Sequence, residues 1–210
     1  AFRGSQAILG MAFMMNLYGN AGMVPLMILA SVPLFNIFAV IILTVESPQQ
    51  HGKVTPSKLL YGVLTNPILD GIILGTLYSL LPFGLPTLAQ KTLTSLSSLT
   101  TPLALLSIGA SFEGAKAIKK LAPTLVAACC KLMVLTTIFI PIAVKLGFRD
   151  QQLIALLIML GSPTTPSSYV MAKNMGHEGV LTSSCIATTT LLSALTLTGW
   201  IFLLRSGGYL

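Results

Sequence analysis

Residues 153–168 read LIALLIMLGSPTTPSS, an apolar run that passes into a polar stretch carrying Pro163 and Pro166. Proline lacks the amide hydrogen that a helix needs, and its ring clashes with the preceding turn, so this stretch predicts a broken helix. Backbone groups freed by a break at membrane depth are tolerated only where protein or a wet cavity surrounds them. The break therefore indicates a functional centre; the alternative is a plain proline kink packed by serine and threonine.

The composition indicates that lipid is the main solvent of this chain. Of its 210 residues, 54% are hydrophobic and only 8% are charged, whereas soluble domains carry about a quarter charged residues. A spanning helix needs about 20 mostly apolar residues. The sequence predicts an all-α polytopic membrane protein with seven such segments: A 4–19, B 22–45, C 57–81, D 86–112, E 121–146, F 151–173 and G 180–204.

The net charge of +7 comes from sparse basic residues that stand between the apolar segments. This pattern is typical of headgroup and orientation signals, and nucleic-acid binding is not expected. If every segment spans, Arg3, Lys173 and the loops 46–57 and 113–120 share the more basic side, which we predict to be cytoplasmic. Cysteine and histidine spacings indicate neither disulfides nor a metal site, and no cofactor is expected.

An internal repeat appears when the chain is shifted by 157 positions against itself. Seven positions are then identical: Gly4/Gly161, Ser5/Ser162, Met14/Met171, Gly19/Gly176, Gly22/Gly179, Ala30/Ala187 and Leu34/Leu191. Segments A and B thus match F and G. Because five segments separate A from F, the two copies enter the membrane from opposite faces, which predicts the inverted-repeat transporter fold with crossed broken helices.

The same shift predicts the domain organisation. Counterparts of segments C, D and E would lie about a hundred residues before the present chain begins, giving seven of an expected ten helices. Residues 1–46 would be the last two helices of the first repeat, 47–56 the loop between repeats, and 57–210 the second five-helix repeat.

Interrupted segments in corresponding halves are the sequence pattern that best indicates a transporter's binding site. We therefore expect a substrate carboxylate to bind where A and F cross, at the freed amides and positive ends of broken helices. The predicted binding residues are Ser5, Gln6 and Gly10 in A, and Ser162, Pro163, Thr164, Thr165, Pro166 and Ser167 in F. Segment D carries a weaker polar signal at residues 100–102, which predicts either a break that lines the cavity or a simple proline kink.

Two ionisable residues lie well inside predicted spanning segments, Asp70 in C and Lys131 in E. Charges at that depth are costly and indicate function, so both are candidates for ion coupling. Lys131 would pair with Asp70 or attract the anion. The alternatives are an interfacial Asp70 and a lysine whose ammonium reaches the headgroups.

The sequence resembles the auxin efflux carrier family over essentially its whole length, on motifs whose order and spacing are together specific. They are Phe2-Arg3-Gly4-Ser5 with Gly10, Asn66-Pro67 with Gly71 and Gly75, Thr101-Pro102-Leu103-Ala104 with Ile108-Gly109, and Gly161-Ser162-Pro163-Thr164 with Ala172 and Gly176. The resemblance, to a bacterial malate-permease-like member of that family, implies ten helices in two inverted repeats. It also implies a carboxylate bound where the fourth and ninth helices cross, and a chain that begins at the fourth.

The expected function is secondary transport of a small organic anion, such as malate or an auxin-like carboxylate, in a bacterial plasma membrane. Expected partners are the anion, a proton or sodium as coupling ion, the bilayer and a second copy in a homodimer. A sodium-coupled bile-acid-type symporter and a non-transporting sensor or scaffold are alternatives. An intramembrane enzyme would need a nucleophile and base, or paired acids, at one depth, and Asp70 stands alone.

Overall fold

The computed structural model describes residues 3–46, 67–81, 84–110 and 113–210. Within these ranges all regular structure is helical, apart from one isolated bridge between Gly4 and Thr164, which confirms the all-α class. The helices are α1 Gln6–Tyr18, α2 Val24–Val45, α3 Pro67–Ser79, α4 Thr87–Ala110, α5 Gly114–Lys119, α6 Leu121–Lys145, α7 Asp150–Gly161, α8 Ser167–Asn174 and α9 Val180–Ser206.

Most of the segment bounds predicted from the sequence agree with these helices. The predicted loop 47–56 and the start of segment C lie outside the described residues. The polar break predicted at residues 100–102 is wrong, because α4 continues through Pro102. A lone proline removes one backbone hydrogen bond, and a helix of this length keeps the others.

Four helices are long and apolar enough to cross a membrane within the described ranges, namely α2, α4, α6 and α9. In α2 the mean hydropathy reaches 2.6, yet only 22% of its most apolar window is buried inside the protein. Exposed apolar surface of this extent is typical of a helix that contacts lipid or other membrane helices. The count of seven spanning segments stays a prediction, since α7 and α8 are the two short halves of segment F.

Helix α7 lies at the centre of the packing and contacts α1, α2, α6 and α9. Its residues Leu153, Ile154, Leu157 and Ile158 are completely buried. Lipid tails are as apolar as these side chains, so close van der Waals packing, rather than transfer from water, holds α7 in place. The C-terminal end of α7, where segment F breaks, is thereby fixed inside the protein.

Loops that the alternation of spanning segments assigns to one side do meet in the structure. Lys120, before α6, lies 3.4 Å from a carboxylate oxygen of Glu178, before α9. At the other end the Arg149 guanidinium lies 5.2 Å from the ring centroid of Tyr209, near the C-terminus. This arrangement agrees with alternating segments, while the assignment of the first end to the cytoplasm stays a prediction.

The glycine pairs of the sequence repeat adopt matching backbone conformations. Gly19 and Gly176 follow α1 and α8 with φ of 69° and 81°, and Gly22 and Gly179 precede α2 and α9 with φ of 50° and 78°. Side chains with a β-carbon rarely adopt this left-handed region, so glycine is needed at all four turns. The local geometry therefore agrees with the repeat; the inverted-repeat fold itself stays a prediction.

Candidate functional site at the crossing of two chain segments

The predicted break in segment F is confirmed. Helix α7 ends at Gly161 and α8 begins at Ser167, and Ser162 between them has an extended backbone with ψ of 147°. The broken stretch runs antiparallel to the segment before α1 and forms the bridge between Gly4 and Thr164. Ser5 N donates to Pro163 O at 2.8 Å, and Thr165 N donates to Arg3 O at 3.2 Å. Parts of segments A and F thus meet at one point, which we call the crossing.

The amides freed by the break are largely bonded within the protein. Thr164 N donates to Thr189 Oγ1 of α9 at 3.0 Å, and Thr165 N is bonded to Arg3 as described above. While the predicted anion site at the break stays a prediction, the amides of Thr164 and Thr165 are therefore not free to bind an anion in this structure. The physical reason is that a buried amide left without a partner costs about 1–3 kcal/mol. Donors for an anion have to come from other groups at the crossing.

A cavity of about 160 Å³ opens beside the crossing. Its walls come from the segment before α1, the first turn of α1, the middle of α2 and the start of α8. The lining residues are Arg3, Gly4, Ser5, Gln6, Ala7, Ile8, Val32, Phe35, Asn36, Thr165 and Ser167. The segment before α1 and the start of α8 are far apart in sequence, and the antiparallel contact at the crossing holds them together.

The structure divides the predicted binding residues into two groups. Ser5, Gln6, Thr165 and Ser167 line the cavity. The others lie beside it or elsewhere: Ser162 and Thr164 are buried, Pro163 accepts the Ser5 amide, Pro166 precedes the first turn of α8, and Gly10 is a packing position. A β-carbon at Gly10 would lie 3.0 Å from a methyl carbon of Val24, so Gly10 permits close approach of α1 and α2.

Arg3 is the main residue of the site that the sequence interpretation missed. Its Nη2 donates to Ser167 Oγ at 3.0 Å and its Nη1 to Met171 Sδ at 3.3 Å, and the side chain is partly buried. The sequence counted Arg3 among the charges of the more basic side, which stays a prediction; the structure adds that Arg3 lies at the crossing, next to the bridge between Gly4 and Thr164. Its place directly before Gly4 and Ser5, the residues repeated in the break, was the signal that could have found it.

Two sources of positive potential therefore face the cavity. The Arg3 guanidinium has five N–H donors, of which the contacts above use two. The first turn of α1, at Gln6, Ala7 and Ile8, lies at a helix N-terminus, where amides have no partner within the helix and the dipole is positive. Together they can hold one carboxylate.

Lys131 is buried behind the crossing rather than in the cavity wall. It lies in a π-helical turn at Cys130–Val134 within α6 and is 3% exposed. A β-carbon added to Gly4 would stand 3.4 Å from its Nζ, so the ammonium is next to the bridge. Single π-turns inside α-helices are frequent at functional sites.

Asp70 has different surroundings from Lys131. It is an exposed residue in the first turn of α3, and α3 packs against α2. The π-turn with Lys131 packs against α7 and α9. The described structure therefore does not bring the two predicted coupling residues together.

Segment A shows no break within its helix, because α1 is continuous from Gln6 to Tyr18. A long helical chain with exposed apolar helices, in which the stretch before α1 crosses the broken segment F, is an integral membrane protein with a buried polar site. Residues 2–201 match the family described as membrane transport protein, and the chain belongs to that family. This agrees with the resemblance to auxin efflux carriers and with a transporter rather than an enzyme. No curated protein and no solved structure matches the chain.

Proposed function

We propose that this protein is a secondary active transporter that carries a small organic anion across a bacterial plasma membrane. The observation that carries the proposal is the cavity at the crossing, where Arg3 and the first turn of α1 face the same space. Malate and auxin-like carboxylates are the substrate types to which the family resemblance points.

The electrostatics of the crossing support an anion over a cation. The described residues that line the cavity include one cation, Arg3, and no carboxylate. The ammonium of Lys131 beside Gly4 adds a second positive charge behind the wall. In a low-dielectric interior these charges act over several ångströms, so an entering carboxylate lowers the energy of the whole cluster.

Alternating access would follow from the inverted repeats that the sequence predicts. The antiparallel contact at Gly4 and Thr164 would connect the two repeats, and the substrate would bind at their junction. The paired glycine turns after α1 and α8 would let each half-helix move while its end stays bonded. Lys131 and Asp70 would couple this movement to an ion gradient, with a proton or sodium as the coupling ion.

Flux into liposomes containing the purified protein tests the proposal. Labelled malate should accumulate when an ion gradient is imposed, and dissipating the gradient should abolish accumulation. A dependence on sodium alone would favour a symporter of the bile-acid type. Binding of carboxylates without any flux would favour a non-transporting sensor and contradict the proposal.

Substitution of Arg3 connects the flux to the crossing. Arg3→Gln should weaken malate binding by about tenfold or more, because a hydrogen bond to a charged group is worth about 1.5–3 kcal/mol. Arg3→Lys should lose less, since it keeps the charge but not the forked geometry. Arg205→Gln, at the exposed end of α9, removes the same charge away from the cavity and is the matched control. Equal affinities in all three variants would exclude Arg3 from the anion site.

A further inference from the structure

A second cavity forms a groove between the short helix α5, the start of α6 and α9, away from the crossing. Its volume is about 340 Å³. The described residues that line it carry no charge and are mostly apolar or small: Gly114, Ala117, Ile118, Leu121, Thr124, Ser184, Ala187 and Thr188. The groove therefore offers an apolar wall at the end of α6 that begins with Lys120.

Two of the three hydroxyl groups in this wall are already bonded to the backbone of their own helices. Thr124 Oγ1 donates to Lys120 O at 2.7 Å, and Ser184 Oγ donates to Val180 O at 2.9 Å. Their hydrogens are thus not available to a ligand. A wall whose polar groups are bonded in this way suits a hydrocarbon chain better than a polar molecule.

Three exposed lysines stand beside the groove. The lining positions 114, 117, 118 and 121 recur at helical spacing and so share one face, while positions 116, 119 and 120 share another and are all lysine. An apolar face next to a row of lysines is the pattern of a helix that lies where lipid headgroups meet acyl chains. The sequence around α5 thus combines an apolar groove with a basic edge.

The lysines at this edge outnumber the carboxylates that pair with them. Lys116 lies 2.8 Å from Glu113, and Lys120 lies 3.4 Å from Glu178. Lys119 forms no ion pair among the described residues. Exposed ion pairs contribute little, so the phosphate of a headgroup can compete with the two glutamates. The edge therefore attracts an anion beside a groove that suits an apolar chain.

From this arrangement we infer that the groove binds an anionic phospholipid, with an acyl chain against α9 and the headgroup phosphate at the three lysines. The inference is independent of the proposed substrate. Lipid tails are as apolar as the wall, so apolar contact does not distinguish one lipid from another, and the lysines select by charge. A second copy docked symmetrically through the same groove would bring two rows of lysines together, which like-charge repulsion disfavours.

Lipid binding to the purified, delipidated protein in detergent tests the inference. Dioleoyl phosphatidylglycerol and dioleoyl phosphatidylcholine share their chains and differ in headgroup charge. We expect the first to bind at least about fivefold more tightly, since each lysine near an anionic headgroup strengthens binding by about that factor. Native mass spectrometry counts the bound lipids, and the lipid-dependent rise in melting temperature reports their affinity. Inorganic phosphate, which has the charge without a chain, should produce no rise at the same concentration.

Lys119→Gln connects the preference to the basic edge. It removes the lysine that has no carboxylate partner and should lower the preference for phosphatidylglycerol severalfold. Lys145→Gln is the matched control, because Lys145 is an exposed lysine at the opposite end of α6. Its preference should equal that of the unmodified protein.

Ala187→Phe connects the binding to the groove. The added ring fills the space between α9 and α5, so phosphatidylglycerol should bind severalfold more weakly although all three lysines remain. Ala194→Phe is the control, because Ala194 is exposed on the same helix and lies outside the wall of the groove.

Four results would overturn the inference. Equal affinity for the two lipids would exclude selection by charge, and an unchanged preference in Lys116→Gln/Lys119→Gln/Lys120→Gln would exclude the basic edge. A rise in melting temperature with inorganic phosphate as large as that with phosphatidylglycerol would indicate a site for the free anion. Loss of a dimer in Ala187→Phe, measured by light scattering, with lipid binding unchanged would identify the groove as a contact between copies.

Discussion

Gly4 packs directly against the hydroxyl of Ser162, so closely that a β-carbon at position 4 would overlap the oxygen. The two residues belong to segments that the sequence repeat aligns with each other, Gly4-Ser5 with Gly161-Ser162. Ser162 is completely buried, and the Lys131 ammonium lies 3.4 Å from the same β-carbon position. The absence of a side chain at position 4 is therefore what lets the two segments cross.

Gly4→Ala should separate the segments and lower both stability and transport. Overpacking of this kind costs about 1–3 kcal/mol, which corresponds to a fall of roughly 2–12 °C in the melting temperature for a chain of this length. Thermal unfolding in detergent measures it. Gly199→Ala is the control, because a β-carbon there meets nothing within 4 Å.

A second substitution should rescue this variant. The Gly4→Ala/Ser162→Ala double variant removes the overlapping oxygen and leaves a carbon–carbon separation of 3.5 Å, an ordinary contact. Ser162 Oγ has no hydrogen-bond partner among the described residues, so its removal costs little. A double variant as unstable as Gly4→Ala would show that the overlap is not the cause.

Thr189→Val, in α9, should destabilise the broken stretch, although the two are 25 positions apart in sequence. The change preserves the shape of the side chain and leaves the buried Thr164 amide without its acceptor, which costs about 1–3 kcal/mol. Thr189→Ser should restore the bond. Thr198→Val removes a similar hydroxyl contact, at 2.6 Å to Ala194 O, on the exposed surface of the same helix and is the control. Equal melting temperatures for Thr189→Val and Thr198→Val would contradict the prediction.

Asp70→Asn should abolish or uncouple transport. A carboxylate on a membrane helix is costly unless a proton or a cation neutralises it, which makes Asp70 the acidic candidate for coupling among the described helices. Glu113→Gln is the control, because Glu113 pairs with Lys116 at 2.8 Å in an exposed turn. Gradient-driven uptake in liposomes measures the difference. Normal coupled uptake by Asp70→Asn would reduce Asp70 to an incidental surface acid.

A single cysteine should report the orientation. Ala115→Cys, in a variant without Cys129, Cys130 and Cys185, places a thiol in the short helix α5, which lies in the connection between α4 and α6. The basic residues of this loop predict a cytoplasmic location, so an impermeant maleimide should label it only after the cells are opened. Position 52, in the other loop predicted to be cytoplasmic, lies outside the described residues. Labelling of Ala115→Cys in intact cells would reverse the orientation.

What the sequence determined follows from local rules. A long apolar stretch of chain in lipid has to form a helix. Helix α2 at Val24–Val45 accordingly agrees with the predicted segment 22–45 to within two residues. Two prolines in one turn predict the break after Gly161, because missing amide hydrogens act within a few residues. The turns at Gly19 and Gly176 need left-handed backbone, which a single residue type provides.

The tertiary structure alone decided which groups reach the crossing. Arg3 contacts Ser167 across 164 positions of sequence, and Gln6 contacts Ser31 across 25. No local pattern distinguishes an arginine in a loop from one that a backbone bridge draws inward, or shows that Thr189 takes the amide of Thr164. Such contacts depend on how the helices pack around α7, and in lipid that packing is fixed by close fit and by the need to pair every buried polar group.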